Sequence, residues 1–421
     1  MDFLLFLLLA SIALILLGVP VGLVLAIANV FALIYSDISL STLVQVSYST
    51  LGNPLLLAVP FFIFCGSLMA NTSAAERLTN FVTLVVRRIR GGLGMSAVAS
   101  TVLFSDISAS ATSDAAAVGS VMIPTMSRNG YRPAYATALQ AASGSLGLLV
   151  PPSLTAIIYA FVANVSIGEL SLACIVPALF IAGTFMFVNY IVARREDIQP
   201  GPAPRLRELG TSLQRGILIL IVPVIILGGI LAGVFTPAEA GAVSVAYVLV
   251  LNLVIYRDLS WSGFMAAVRE AIAVTSRVGL LVGMAIVLGT ILSIHLIPQK
   301  VAGSLLGVST DKLVVLFLIN VLLIVLHTVI ETSSAILIVV PVLLPVLTSL
   351  NVDPIHFGVI LFVNSAIGIT LPPIGFCLYV CCSISNVAIE RAAAAMIPFT
   401  IALVVDLVII TVFPQITLFV L

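Results

Sequence analysis

Charge is what this sequence lacks most: 8% of its 421 residues are Asp, Glu, Lys or Arg, against 61% hydrophobic, and the mean hydropathy is +1.30. A soluble domain of this length has too little interior to hide that much apolar surface, so lipid is the solvent for much of the chain. The 17 basic residues balance 17 acids and sit in short clusters between apolar runs. No basic face is available, which excludes nucleic acid as a partner. Paired cysteines are also missing. Cys65, Cys174, Cys377, Cys381 and Cys382 all lie inside apolar runs, where they read as small core residues rather than zinc ligands or disulfides. Histidine is scarce and scattered (His295, His327, His356), and no HExxH or GxSxG occurs, so no enzymatic constellation is visible. The first apolar stretch lacks the positive flank of a signal peptide and carries Asp2, so it reads as a retained membrane segment.

What is present is a succession of apolar runs near 3–17, 20–36, 54–71, 134–163 and 170–193, then near 215–234, 238–256, 279–297, 355–384 and 393–420. Each approaches the length of a membrane crossing. The stretch 3–36 is one long helix or two short passes, and Gly18-Val19-Pro20 favours two. Two further stretches, 93–126 and 312–348, are apolar but interrupted by Ser, Thr, Asp or Glu. They are expected to dip in and return as helical hairpins. The polar stretch 194–215 holds three prolines and five arginines and reads as a linker between a first half, 1–193, and a second, 216–421. Placing it in the cytoplasm puts 15 of the 17 basic residues on one face and leaves only Lys300 and Lys312 opposite. Both termini are then expected in the periplasm. The charged stretches 73–90 and 258–277 are expected to lie along the interface as amphipathic helices.

The halves are related. An offset of 221 residues aligns 110–169 with 331–390 without a gap, with only eight of 60 positions identical. Four of the eight are prolines (Pro124, Pro133, Pro151, Pro152) and one is Gly147, matching Pro345, Pro354, Pro372, Pro373 and Gly368; Ser113 meets Ser334. With a small shift, Gly66-Ser67 meets Gly289-Thr290. An odd number of passes per half inverts the second copy. The expected fold is therefore an all-α polytopic membrane protein, an inverted repeat of about ten transmembrane helices plus two re-entrant hairpins. Inverted repeats with broken helices mark secondary transporters.

The breaks fall at Gly147 to Pro152 and Gly368 to Pro373, inside the runs 134–163 and 355–384. Adjacent prolines remove two backbone donors and free carbonyls, which at membrane depth must face protein, water or an ion. The hairpins supply the complement. Seven of the ten residues from Ser105 to Asp114 carry a hydroxyl or carboxylate, and the second hairpin carries His327, Thr328, Glu331, Thr332, Ser333 and Ser334. Hydroxyls and freed carbonyls suit a hard monovalent cation, and half-helix N-termini suit an anionic carboxylate. Asp106, Asp114 and Glu331 are costly at membrane depth, which makes them functional candidates; a capping role at a hairpin tip is the plainer alternative.

At these residues the chain resembles the large membrane subunit of tripartite ATP-independent periplasmic (TRAP) transporters. The resemblance runs through Asp114 to Ser120, Ile123-Pro124, Gly130-Tyr131 and Ala141-Ala142-Ser143 into Pro151-Pro152-Ser153. In the second half it runs through Thr332 to Pro345, Asp353 to Gly358, and Asn364 to Gly368 into Pro372-Pro373. It implies sodium-coupled uptake of an organic acid through the bacterial inner membrane, with a periplasmic binding protein delivering the substrate. It also implies an elevator-type motion and a small membrane subunit, here expected as a separate chain. No cofactor is expected beyond the coupling ion. The sequence departs from the family pattern at Asp106, Ala109, His327 and Glu331.

Sodium is expected at two pseudo-symmetric places. One lies between Ser108, Ser110 and Ser113 and the break at Ser145, Gly147 and Val150; the other lies between Thr332, Ser333 and Ser334 and the segment Asn364, Gly368 and Leu371. The carboxylate substrate is expected between the hairpin tips, near Ser105, Asp106, Thr112, Asp114, Ser143, Pro151, Pro152, Glu331, Ser365, Pro372 and Pro373. The nearest rival is a single-component carboxylate carrier that needs no binding protein. An intramembrane hydrolase or a channel is less well motivated.

Overall fold

A computed structural model describes residues 7, 10, 11, 13–15, 17–201, 206–373 and 375–421. The expected pass 3–17 lies largely outside them. No strand occurs among the described residues. The first half comprises α1 (Val21–Tyr35), α2 (Ser41–Leu51), α3 (Ala58–Ala70), α4 (Ala74–Val86), α5 (Gly92–Ser108), α6 (Ala111–Arg128), α7 (Pro133–Ser145), α8 (Leu154–Ala163) and α9 (Ile167–Arg195). The second comprises α10 (Leu206–Pro223), α11 (Pro237–Val250), α12 (Trp261–Ile294), α13 (Ile297–Val308), α14 (Lys312–His327), α15 (Thr332–Ser349), α16 (Pro354–Gly368), α17 (Phe376–Ser385), α18 (Ile389–Val412) and the short α19 (Gln415–Leu418).

The helix starts follow local chemistry. Pro133, Pro237 and Pro354 stand at the first turn of α7, α11 and α16, where a missing N–H costs nothing. Asp353 Oδ1 accepts from the amides of Ile355 (2.7 Å) and His356 (3.3 Å), and Thr236 with Glu239 forms a reciprocal cap on α11. Five described helices are long and apolar enough to cross a membrane, and seven if each of two bent pairs counts once. One of the five is α15, the second arm of the hairpin at 312–348. The polar stretch 194–215 is helical from Leu206, where α10 begins.

One expectation is corrected. The stretch 258–277 forms no separate interfacial helix, because 261–277 is the first half of α12, a single helix of 34 residues. It contains no proline, and its glycines leave the helix continuous. Its counterpart in the first half is broken at Gly52-Asn53-Pro54, where α2 and the segment Pro54–Ala70 meet at 61°. The segment that repeats α4 is α13.

Two groups of helices result. The long α12 packs against α1, α2 and α3, and α11 against α3. These form a frame, with Asn29 Nδ2 donating to the Met284 carbonyl at 2.7 Å across it. The hairpins α5–α6 and α14–α15, the broken helices α7–α8 and α16–α17, and α9 and α18 pack on one another as an inner unit. The halves interlock there, with α8 against α15 and α17 against α6. Gly358 makes this possible: a Cβ on it would stand 2.7 Å from the ring of Tyr159, whose hydroxyl donates to the Pro354 carbonyl.

Candidate functional site

The first hairpin turns at Ala109, held in the left-handed region at φ 53°, a conformation that costs a side-chain-bearing residue about 1–2 kcal/mol. Ala109 also passes its carbonyl to Leu154 N at 3.4 Å, which ties the tip to the start of α8. Asp114, in the first turn of α6, is fully buried. Ser105 Oγ donates to its Oδ2 at 2.6 Å, and the Ser108 hydroxyl donates to its Oδ1. Gly147 backs this cluster. A Cβ there would collide with the Asp114 carboxylate and lie 2.9 Å from Ala111 Cα. All four ion pairs among the described residues lie elsewhere, so no described Lys or Arg side chain compensates Asp114. A buried carboxylate without a countercharge costs several kcal/mol, and here two hydroxyl donors offset part of that cost.

The breaks place the rest. In the first, Leu148 passes its carbonyl to Ser153 Oγ (3.0 Å) and Thr155 Oγ1 (3.1 Å), and Ser153 Oγ accepts from Ala156 N (3.1 Å) to cap α8. Pro151 and Pro152 are buried behind it, whereas Pro372 and Pro373 in the second break are exposed; both Pro-Pro bonds are cis.

The second cluster centres on His327, at the end of α14. Its Nε2 is 2.8 Å from Ser365 Oγ and its Nδ1 3.4 Å from Asn364 Oδ1. Asn364 Nδ2 donates to Asn320, at 2.9 Å to the backbone oxygen and 3.1 Å to Oδ1, and Asn320 Nδ2 donates to Thr411 Oγ1 at 3.2 Å. Gly368 lets this happen, since a Cβ on it would sit 2.8 Å from the His327 backbone carbonyl.

The candidate residues sort unevenly. Ser105, expected near substrate, belongs with Ser108 and Asp114. Ser143 and Ser145 are buried, but each spends its hydroxyl on a carbonyl of its own helix, Leu139 and Ala142, both at 2.7 Å. Asp106 is half-buried beside Asp114 without a hydrogen bond or ion pair among the described residues. Ser110 and Thr112 face each other at 3.3 Å at the tip, and Ser113 is half-buried. Val150 is buried and Leu371 half-buried. Glu331, exposed, caps α15 by accepting from Ser333 Oγ (2.8 Å), Ser334 N (3.2 Å) and Ser334 Oγ (3.3 Å). Thr332 Oγ1 is buried without a partner.

Asn320 and Thr411 escaped the sequence reading, and His327 figured in it as a polar group of the second hairpin and as a departure, not as a site residue. The signal was there for two of them: Asn320 and His327 are seven residues apart on one face of an otherwise apolar helix.

Two hairpins and two broken helices interlocked around buried polar clusters, inside a membrane-length frame, define a transport protein. The fold agrees with that of a solved transporter, YdaH from Alcanivorax borkumensis, whose structure is described as showing an unusual topology. It matches with a TM-score of 0.62 at 17% identity, over 89% of this chain and 87% of that one. The family described as the DctM component of the tripartite ATP-independent periplasmic transporters matches residues 8–416, and the chain belongs to it. It is 38% identical to the sialic acid TRAP transporter large permease SiaM of Vibrio cholerae, over 95% of this chain and 94% of that protein. It is 34% identical to the C4-dicarboxylate large permease DctM of Pseudomonas aeruginosa, over 92% and 90%. It is 33% identical to the isethionate permease DctMQ of Oleidesulfovibrio alaskensis, over 96% of this chain but 64% of that protein. These relatives are permeases rather than enzymes, and the family is one component of a three-part transporter.

Proposed function

We propose that this chain is the membrane translocator of a sodium-coupled uptake system for a small organic acid, working with a separate small membrane subunit and a periplasmic binding protein. The observation that carries the reading is Asp114: a carboxylate at membrane depth, fully buried, holding two hydroxyls and no basic partner. Sodium bound among Ser105, Ser108, Asp114 and the carbonyls near Gly147 would supply the missing charge. The substrate anion would sit between the tips, near Asp106, Thr112 and Glu331, facing the N-termini of α6 and α15. The named substrates of the relatives include carboxylates and, in isethionate, a sulfonate, so the shared requirement is a small organic anion.

An elevator-type step is supported by an offset between frame and inner unit. A Cβ on Gly66 of α3 would stand 2.6 Å from Ser108 at the tip of the first hairpin. The repeat-equivalent Gly289 of α12 faces Pro341 instead, at 4.0 Å. Pro341 lies nine residues beyond the start of α15, roughly 13 Å along that helix. The inner unit is thus shifted along the frame toward one side, and by the distribution of arginines that side is the cytoplasm.

The test is uptake into proteoliposomes holding the complete transporter. An inward sodium gradient should accelerate uptake at least tenfold over a sodium-free control. Equal rates with and without sodium would overturn the reading, and uptake without the binding protein would favour the single-component carrier.

A further inference from the structure

The Asp114 cluster is closed at its tip. A Cβ on Gly66 of α3 would stand 2.6 Å from Ser108, and the Ala109 carbonyl accepts from Leu154 N at 3.4 Å. An ion bound there could pass over the tip only after the hairpin had parted from the frame. The polar groups continue the other way, into the body of the hairpin. Ser105 Oγ, besides meeting Asp114, donates to the Thr101 backbone carbonyl at 2.8 Å. At the level of Thr101, one turn further down α5, Gln140 Nε2 of α7 donates to Thr101 Oγ1 at 3.1 Å.

Gln140 is the group that packing does not explain. It is fully buried, and its Oε1 has no hydrogen-bond partner among the described residues. That oxygen shares its carbon with the bonded Nε2, so it lies in the same gap between helices. A buried carbonyl oxygen left unpaired is costly. The repeat partner of Gln140 is Leu361, also fully buried, so an apolar side chain fills the equivalent place in the second broken helix. Around Gln140 the helices meet through small residues: a Cβ on Gly119 of α6 would stand 3.1 Å from Gln140 Cγ, and one on Gly144 would stand 2.6 Å from Ala115 Cβ.

A cavity of about 580 Å³ opens at the start of α5, on the side that the arginines assign to the cytoplasm. Arg87, Gly92, Leu93, Tyr131, Glu196 and Asp197 are among its lining residues. Thr101 lies nine residues beyond Gly92, roughly 13 Å along the helix. We propose that the coupling cation leaves Asp114 for the cytoplasm through the body of the first hairpin, passing from the Ser105 and Thr101 oxygens to Gln140 Oε1 and on to this cavity. Gln140 is then a passing ligand for a small monovalent cation, outside the resting site. The route belongs to the first half alone, because Leu361 closes the equivalent path in the second. The proposal rests on the sodium-coupled reading of the Asp114 cluster.

The experiment separates rate from affinity. A group on the route but outside the site changes the barrier to entry and exit and leaves the equilibrium constant alone. In the purified complete transporter, radiolabelled sodium gives the equilibrium affinity, and its loss after rapid dilution gives the release rate. The proteins compared are the natural chain, Gln140→Leu and Thr101→Val, which nearly keep the side-chain volumes and remove the oxygens. Each variant should release sodium at least tenfold more slowly, with half-saturation within twofold of the natural value. Release at the natural rate in either variant would send the ion over the tip and overturn the proposal. A larger change in affinity would place these groups in the resting site or in the packing, and would overturn it as well. Should Gln140→Leu not assemble, Thr101→Val decides alone. Failure of the underlying reading looks different: the natural chain would bind no sodium.

Discussion

At the scale of single residues, function and packing meet in the glycines that face buried polar groups. Gly147 and Gly368 each allow a helix end to touch a hairpin backbone, and neither tolerates a methyl without moving Asp114 or His327. Gly147→Ala and Gly368→Ala are therefore expected to destabilise the protein by about 1–3 kcal/mol through overpacking, read as a lowered melting temperature in detergent. Asp114→Asn keeps the shape and removes the charge. It should leave folding near the natural level and raise the sodium concentration for half-maximal uptake by at least tenfold, measured in proteoliposomes. A smaller change would mean that Asp114 is an internal cap, satisfied by Ser105 and Ser108 alone.

At the scale of elements, the hairpins and the frame have distinct jobs. The tip of α5–α6 is pinned three ways: by Asp114, by the Ala109 carbonyl on α8, and by close approach to Gly66 of α3. The tip of α14–α15 has no such seat on α12, and Glu331, Pro372 and Pro373 are exposed. Under the proposed elevator-type step, the second tip would reach Gly289 in the opposite state as the first now reaches Gly66. Gly289→Ala should therefore leave thermal stability within about 0.5 kcal/mol, because its Cβ would meet Pro341 at 4.0 Å, an ordinary contact. It should lower uptake at least tenfold by blocking the return step. Unchanged transport would show that Gly289 is never approached by the second tip.

At the scale of the molecule, the distribution of charge underlies the expected orientation. The four described ion pairs, Arg77–Asp258, Arg87–Glu208, Arg90–Asp197 and Arg132–Glu196, join segments that the charge distribution assigns to one face. With the five native cysteines buried, labelling by an impermeant maleimide has little background. Lys300→Cys should react from outside intact cells and Asp197→Cys only after permeabilisation; the reverse pattern would invert the topology.

The sequence by itself determined that lipid surrounds the chain and where the helices break, because apolar run length and proline placement act locally and need no tertiary partner. It also showed which segments carry hydroxyls and acids, since polar groups at membrane depth stand out against an apolar background. What it could not show is which polar groups meet. Ser143 and Ser145 look identical to Ser105 and Ser108 in sequence, yet the former bond their own helix and the latter Asp114. Asn320 and Thr411 join the second cluster only because α14, α16 and α18 pack together. The continuous α12 opposite a broken α2 and α3, and the seating of Gly66 against Ser108 while Gly289 faces Pro341, were likewise decided in three dimensions. Both depend on how distant segments pack against one another, and motifs read along the chain are blind to that packing.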